Sequence, residues 1–127
     1  MKVNVLVDSC GWIEYFGGGP LANKYEQYVA KANRRTYYTS AIILYEVFKR
    51  MSKLDEKKAI KACASIMSST TIILVDENVA LSAADMSMKY GLSIADAIIK
   101  ATADLCEAKI VTSDEHLGKL KGVQLIK

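Results

Sequence analysis

Val3-Asn4-Val5-Leu6-Val7-Asp8, with Ser9 directly after it, is an apolar run that stops abruptly on a carboxylate. Such a run reads as a strand buried on both faces of a parallel sheet. In an open α/β sheet, ligands gather beyond the carboxyl ends of the strands, so a helix starting near Gly11 puts Asp8 in that region. Asp8 is equally suited to cap that helix, and Ser9 offers the same capping chemistry. One of the two is therefore free for another task.

Working outward, strands and helices alternate. Gly11 to Phe16 reads as a short helix stopped by Gly17-Gly18-Gly19-Pro20. Leu21 to Asn33 reads as a helix with Leu21, Tyr25, Tyr28, Val29 and Ala32 on its core side. Thr36 to Thr39 is β-prone, and Ser40 caps a helix over Ala41 to Met51 whose apolar stripe is Ile43, Leu44, Val47, Phe48 and Met51. Asp55 caps a second helix reaching Met67. Thr70 to Val75 is a β-branched strand ending on Asp76, which caps a helix over Asn78 to Tyr90 that Gly91 closes. Ser93-Ile94-Ala95-Asp96 has the capping-box pattern and opens a helix to Glu107. Lys109 to Thr112 is a strand, Ser113 to His116 starts a short helical turn, and Val123 to Ile126 is a last strand. This alternation predicts a three-layer α/β/α fold over 1–127, a single domain with a central parallel sheet of four to five strands covered by helices on both faces.

Composition narrows the class. A chain of 127 residues, 51% hydrophobic, buries roughly two thirds of its unfolded surface and needs no disulfide framework. Three cysteines without a CxxC point to a reducing compartment and read as structural thiols. Apolar runs of about five residues fall far short of a bilayer span, and Met1-Lys2 leads straight into a strand, so a soluble, cytoplasmic protein is expected. The glycine run lacks both the dinucleotide fingerprint and the Gly-Lys-Ser/Thr of a P-loop. The net charge of +3 does not by itself name a nucleic-acid partner. Its distribution is more telling, because Lys49, Arg50, Lys53, Lys57, Lys58 and Lys61 cluster around one helix-helix junction.

The chemistry lies in four acids. Asp8, Glu46, Asp96 and Asp114 each sit at a strand end or in the first turns of a helix that follows one, positions that converge on one edge of a doubly wound sheet. Three of them also have a structural reading: Asp8 as an N-cap, Glu46 as the rim of its helix's apolar stripe, Asp96 as half of a capping box. Four carboxylates brought together repel and raise one another's pKa, which is tolerable only with a cation among them. All-oxygen ligands favour Mg²⁺ or Mn²⁺ over zinc, and such a site suits phosphodiester hydrolysis. His116 is the only histidine, which excludes a two-histidine ribonuclease mechanism and leaves little for a Cys10-His116 pair. A phosphatase using Asp8 as nucleophile would place its second acid two residues on, where Cys10 stands.

With these residues in view, the sequence resembles a PIN domain, and in particular the VapC-type toxins of toxin-antitoxin pairs. The matching pieces are Val7-Asp8-Ser9, Tyr45-Glu46, Ser93-Ile94-Ala95-Asp96-Ala97-Ile98-Ile99 with Ala101, and Val111-Thr112-Ser113-Asp114 with Leu117. The resemblance implies a metal-dependent endoribonuclease with Asp8, Glu46, Asp96 and Asp114 as its acidic quartet and Mg²⁺ or Mn²⁺ as cofactor. It further implies Ser9 and Thr112 as hydroxyls supporting those acids, a homodimer, and a cognate antitoxin that blocks the cleft. Lys49, Arg50 and Lys53 border the helix of Glu46 and are expected to hold the RNA backbone. Two departures stand out: Leu117 replaces an aromatic common in relatives, and Cys10-Gly11-Trp12 replaces a small aliphatic stretch. A PIN-like fold that has lost activity and serves as an RNA- or protein-binding module is the alternative.

Overall fold

The computed structural model describes residues 2–30 and 34–127. Five strands, β1 (Val3–Val7), β2 (Arg35–Ser40), β3 (Thr71–Ile73), β4 (Lys109–Thr112) and β5 (Val123–Leu125), form one parallel sheet in the order β3-β2-β1-β4-β5. Among the described residues seven helices complete the fold: α1 (Ser9–Gly17), α2 (Ala22–Val29), α3 (Ala41–Ser52), α4 (Glu56–Ser69), α5 (Glu77–Tyr90), α6 (Ile94–Leu105) and α7 (Glu115–Gly118). The expected three-layer α/β/α architecture is the one observed.

The run Val5-Leu6-Val7 is fully buried because β1 lies at the centre of the sheet, hydrogen-bonded to β2 on one side and β4 on the other. The chain leaves β1 toward β2 and β3, then returns through α5 and α6 to β4 and β5. The direction of winding therefore reverses between β1 and β4, and a crevice opens there at the carboxyl edge. The main core joins β1 to Ile43 and Val47 of α3, Ile66 of α4 and Ile99 of α6, while a small cluster of Val79, Ala83, Ala97 and Ala101 holds α5 against α6.

Several boundaries differ from the sequence reading. Helix α1 begins at Ser9, two residues before Gly11, because Asp8 and not Ser9 is its N-cap. Gly11 then lies inside the first turn, where a Cβ would stand 2.5 Å from the Tyr25 ring and 2.7 Å from Val7, so only glycine lets α2 approach so closely. Helix α2 ends at Val29, and the expected continuation through Ala32 to Asn33 falls outside the described residues. Strand β3 keeps only three of its six expected residues: it is an edge strand whose register with β2 ends at Ser40 and Ile73, leaving Leu74 and Val75 exposed beyond the ladder. Helix α6 stops at Leu105, short of Glu107, which adopts φ 51° while the Ala108 N–H reaches back to the Ala103 carbonyl at 2.8 Å, a left-handed helix stop. Phe48, expected in the α3 stripe, is exposed.

Candidate active site

Asp8 follows β1 at the sheet's centre, and its N–H bonds the Val111 carbonyl of β4 at 3.0 Å. Its carboxylate is only 4% exposed. One oxygen accepts the Ser9 N–H at 2.7 Å; the other accepts the Thr112 hydroxyl at 2.8 Å, with the Cys10 thiol 3.6 Å away. Burial raises the Asp8 pKa, the Thr112 and Ser9 hydrogen bonds oppose that shift, and the charge of Asp114 adds to it. Thr112, fully buried at the end of β4, also accepts the Asp114 N–H at 3.0 Å. A single hydroxyl thus ties the acid after β1 to the acid after β4.

Asp114 caps α7, its Oδ1 accepting the N–H groups of His116 at 2.8 Å and Leu117 at 3.4 Å. Glu46 comes from the second turn of α3, whose start is set by the Ser40 hydroxyl accepting the Ile42 N–H. Its carboxyl is raised chiefly by burial and further by Asp8, while Ser9, Arg50 and Lys49 act against this. Asp96 lies in the first turn of α6, and the Ser93 hydroxyl accepts its N–H at 3.3 Å, as the capping pattern requires. Its carboxyl is pushed up to about 6 by burial first, then by the charges of Asp114, Asp8 and Glu46. The group that looked most like a simple cap is the one that feels all three other acids.

Asp8, Glu46, Asp96 and Asp114 line one pocket of about 230 Å³, and Arg50 is the one cation in its wall among the described residues. Among the described residues none of the four acids is in an ion pair, and the sole pair is Lys100 with Asp104, at 2.5 Å on α6. Ser9 also lines the pocket. Of the three basic residues expected at the cleft, the structure brings Arg50 to the acids. Lys49 lies 5.6 Å from the exposed Tyr45 ring, and Lys53 is the exposed C-cap of α3, outside the pocket wall.

Cys10 and Tyr25 read from the sequence as structural, and the structure places both at the site. Cys10 lines the pocket, with its sulfur 3.5 Å from the Thr112 hydroxyl, 3.7 Å from the Tyr25 hydroxyl and 3.3 Å from that of Ser113, which donates to it. Tyr25 is fully buried, and its phenol pKa is driven up by that burial. The one sequence signal for this contact was Gly11, whose missing Cβ lets the Tyr25 ring pass.

Among the described residues, no three His, Cys, Asp or Glu side chains stand close enough to hold an ion between them alone. The four carboxylates that line the pocket offer oxygen donors, the chemistry that suits a small hard cation such as Mg²⁺, which keeps several waters and takes only one or two carboxylates directly. Zinc is held more commonly by a tetrahedral set that includes histidine nitrogen or cysteine sulfur.

A family model for the PIN domain matches residues 5–123, and the chain belongs to that family. No curated protein matches the sequence significantly. Solved structures do. The chain is similar to a toxin-antitoxin complex from Klebsiella pneumoniae, at 24% identity over 94% of this chain and 95% of that one, TM-score 0.75. It is also similar to VapC20 of Mycobacterium tuberculosis, described as a sarcin-ricin loop cleaving toxin, at 15% identity over 97% and 99%, TM-score 0.81. VapBC2 of Rickettsia felis, bound to promoter DNA, is similar at 16% identity over 98% and 100%, TM-score 0.77. At these identities the likeness establishes the fold.

Proposed function

We propose that this protein is a Mg²⁺- or Mn²⁺-dependent endoribonuclease and the toxin of a VapBC-type pair. The observation that carries the proposal is the convergence of four carboxylates, from four elements, on one pocket with no ion pair among the described residues to neutralise any of them. Crowding and burial raise the pKa of three, an unfavourable arrangement that a divalent cation relieves. A bound Mg²⁺ or Mn²⁺ supplies polarisation of the phosphoryl group and activation of water. The chain's own residues do the rest: Thr112 and the Ser9 N–H hold both oxygens of Asp8 in place, and the α7 N–H groups hold Asp114. Glu46 and Asp96 close the pocket, their carboxyls raised by burial and by the neighbouring acids, which a cation among them would offset. Arg50 meets the phosphate backbone.

Relatives solved as toxin-antitoxin complexes support a cognate antitoxin as partner. An exposed apolar face around Leu81, Met88 and Ile94, beside a groove lined by small residues of α5 and α6, supports a homodimer. No described helix is long and apolar enough to cross a membrane, and action in the cytoplasm accords with an RNA substrate. A phosphatase reading is disfavoured because the thiol of Cys10 stands beside Asp8, where that chemistry needs an acid.

The test is cleavage of single-stranded or looped RNA with and without divalent cation. Products with 5′-phosphate and 3′-hydroxyl ends, formed with Mg²⁺ or Mn²⁺ and abolished by EDTA, are expected. Cleavage that survives EDTA or leaves a cyclic phosphate contradicts the mechanism, and Mg²⁺-independent RNA binding without cleavage would make the domain a silent binding module.

A further inference from the structure

A second concavity, about 480 Å³, adjoins the acid pocket and shares Asp96 with it. Its wall comes from the end of α5, the start of α6 and the segment around α7, with Tyr90, Leu92, Asp96, His116, Lys119 and Leu120 as its principal groups. None of these except Asp96 has a part in the reading above.

The chemistry of this wall is of two kinds. Tyr90, Leu92 and Leu120 offer an aromatic ring and aliphatic surface, while His116 and Lys119 offer exposed nitrogen donors beside an anionic centre. The amine of Lys89 stands 5.3 Å from the Tyr90 ring and adds positive charge at the same rim. A flat apolar face and a phosphate are what one nucleotide presents, and the volume lies within the range of pockets that hold small ligands. Charge argues the same way: the acids repel a phosphodiester chain, so its flanking phosphates need cations on either side. Arg50 supplies one at the acid pocket's wall, and Lys119 supplies the other across Asp96, with the His116 ring beside it.

We infer that the groove between Tyr90 and Lys119 is a nucleotide subsite that seats one unpaired base next to the scissile phosphate of single-stranded RNA. The inference rests on the nuclease reading and deepens it by placing one base of the substrate beside the cleaved bond. A base can lie against Tyr90 only when splayed from a helix, so loops and single strands are admitted and a continuous duplex is not.

Two measurements test this independently of one another. First, a fluorescent single-stranded oligoribonucleotide is titrated by anisotropy into protein carrying Asp8→Asn, with Mg²⁺ present. Adding Tyr90→Ala is expected to weaken binding about tenfold, the typical loss of one base-aromatic stack, with Tyr90→Trp restoring it. Lys119→Ala is expected to lower the slope of log K against log salt by about 0.7, one phosphate contact on a single strand. Thermal melts should be the same for all, since Tyr90 and Lys119 are exposed. Second, in the cleaving parent, one abasic nucleotide beside the cleaved bond should slow kcat/KM by about tenfold, and Tyr90→Ala should erase that sensitivity.

If cleavage occurs while affinity, salt slope and abasic sensitivity ignore Tyr90 and Lys119, the subsite is overturned and the nuclease reading stands. Tyr90-dependent binding without cleavage under any divalent cation keeps the subsite and overturns the nuclease reading. If Tyr90→Ala weakens only the complex with the antitoxin protein, the groove belongs to that partner and the inference fails.

Discussion

The ends of β1 and β3 are written alike and do different things. Each is a β-branched or aliphatic run that stops on an aspartate, and each aspartate caps the helix that follows: Asp8 for α1, Asp76 for α5. Asp76 follows the edge strand β3, and its Oδ1 accepts the Val79 N–H at 3.0 Å. Asp8 ends the central strand, so β4 brings Thr112 and Asp114 to one side of it while α3 and α6 bring Glu46 and Asp96 to the same pocket. The local grammar of strand, acid and helix is shared; position in the strand order separates a cap from a candidate catalyst.

The largest effect is expected from breaking the two ends separately. Asp8→Asn should lower RNA cleavage by more than about 100-fold, beyond the 10–100-fold usual for groups that merely support a ligand. Asp76→Ala should leave the rate within about twofold and cost about 1 kcal/mol of stability for the lost cap. Steady-state cleavage and urea melts of both variants would break the comparison if the two losses were alike.

Thr112→Val sharpens it next, because only the β1 end has a hydroxyl bridging two acids. The isosteric change leaves one Asp8 oxygen and the Asp114 N–H short of a buried partner, at a cost of about 1–3 kcal/mol. Activity is expected to fall about 10–100-fold, and a rate equal to the parent's would remove Thr112 from the site's support.

A pH titration reads the crowding itself. The Asp96 carboxyl titrates near 6 in the folded protein against an ordinary 3.8, so the native state holds its proton more tightly than the unfolded chain does. Stability without metal should therefore fall as pH rises between those values, and the upward shifts of Asp8 and Glu46 act in the same direction. In EDTA, the Tm is expected to be higher near pH 5 than near pH 7.5. The opposite trend would mean that the acids are individually neutralised.

The smallest effect concerns the basic flank. Arg50→Ala should reduce RNA affinity and flatten its salt dependence, whereas Lys53→Ala, removed from the pocket wall, should change neither measurably. Equal slopes for the two would return the whole cluster to a solvated face.

Most of this architecture was legible because its signals are local. Val5-Leu6-Val7 announced a doubly buried strand, Ser40 and Ser93 are the helix caps they looked like, and Gly18 and Gly91 close α1 and α5 in the left-handed conformation. The four acids were legible as a set because parallel α/β winding sends strand ends to one edge. What was not legible depends on tertiary approach. No local pattern says how closely Tyr25 passes Gly11, that Cys10 meets Thr112 and Ser113, or that Arg50 lines the pocket while Lys53 does not. The shortened β3 belongs to the same class: an edge strand pairs on one side only, and its sequence does not say where its neighbour stops.

Asp96 decides the central claim, that the four acids form a crowded anionic cluster built around a cation, because its capping role and its cluster role predict stability changes of opposite sign. As a cap alone, the acid is favoured by the helix N-terminus, and Asp96→Asn should cost a few tenths to about 1 kcal/mol with or without metal. As a member of the cluster, its loss relieves repulsion from Asp114, Asp8 and Glu46. The measurement is a set of thermal melts at neutral pH, parent and Asp96→Asn, each in EDTA and in Mg²⁺. The account predicts a variant at least as stable as the parent in EDTA and gaining less from Mg²⁺, since linked stability follows metal affinity. Equal destabilisation in both conditions, with RNA cleavage retained, would contradict it.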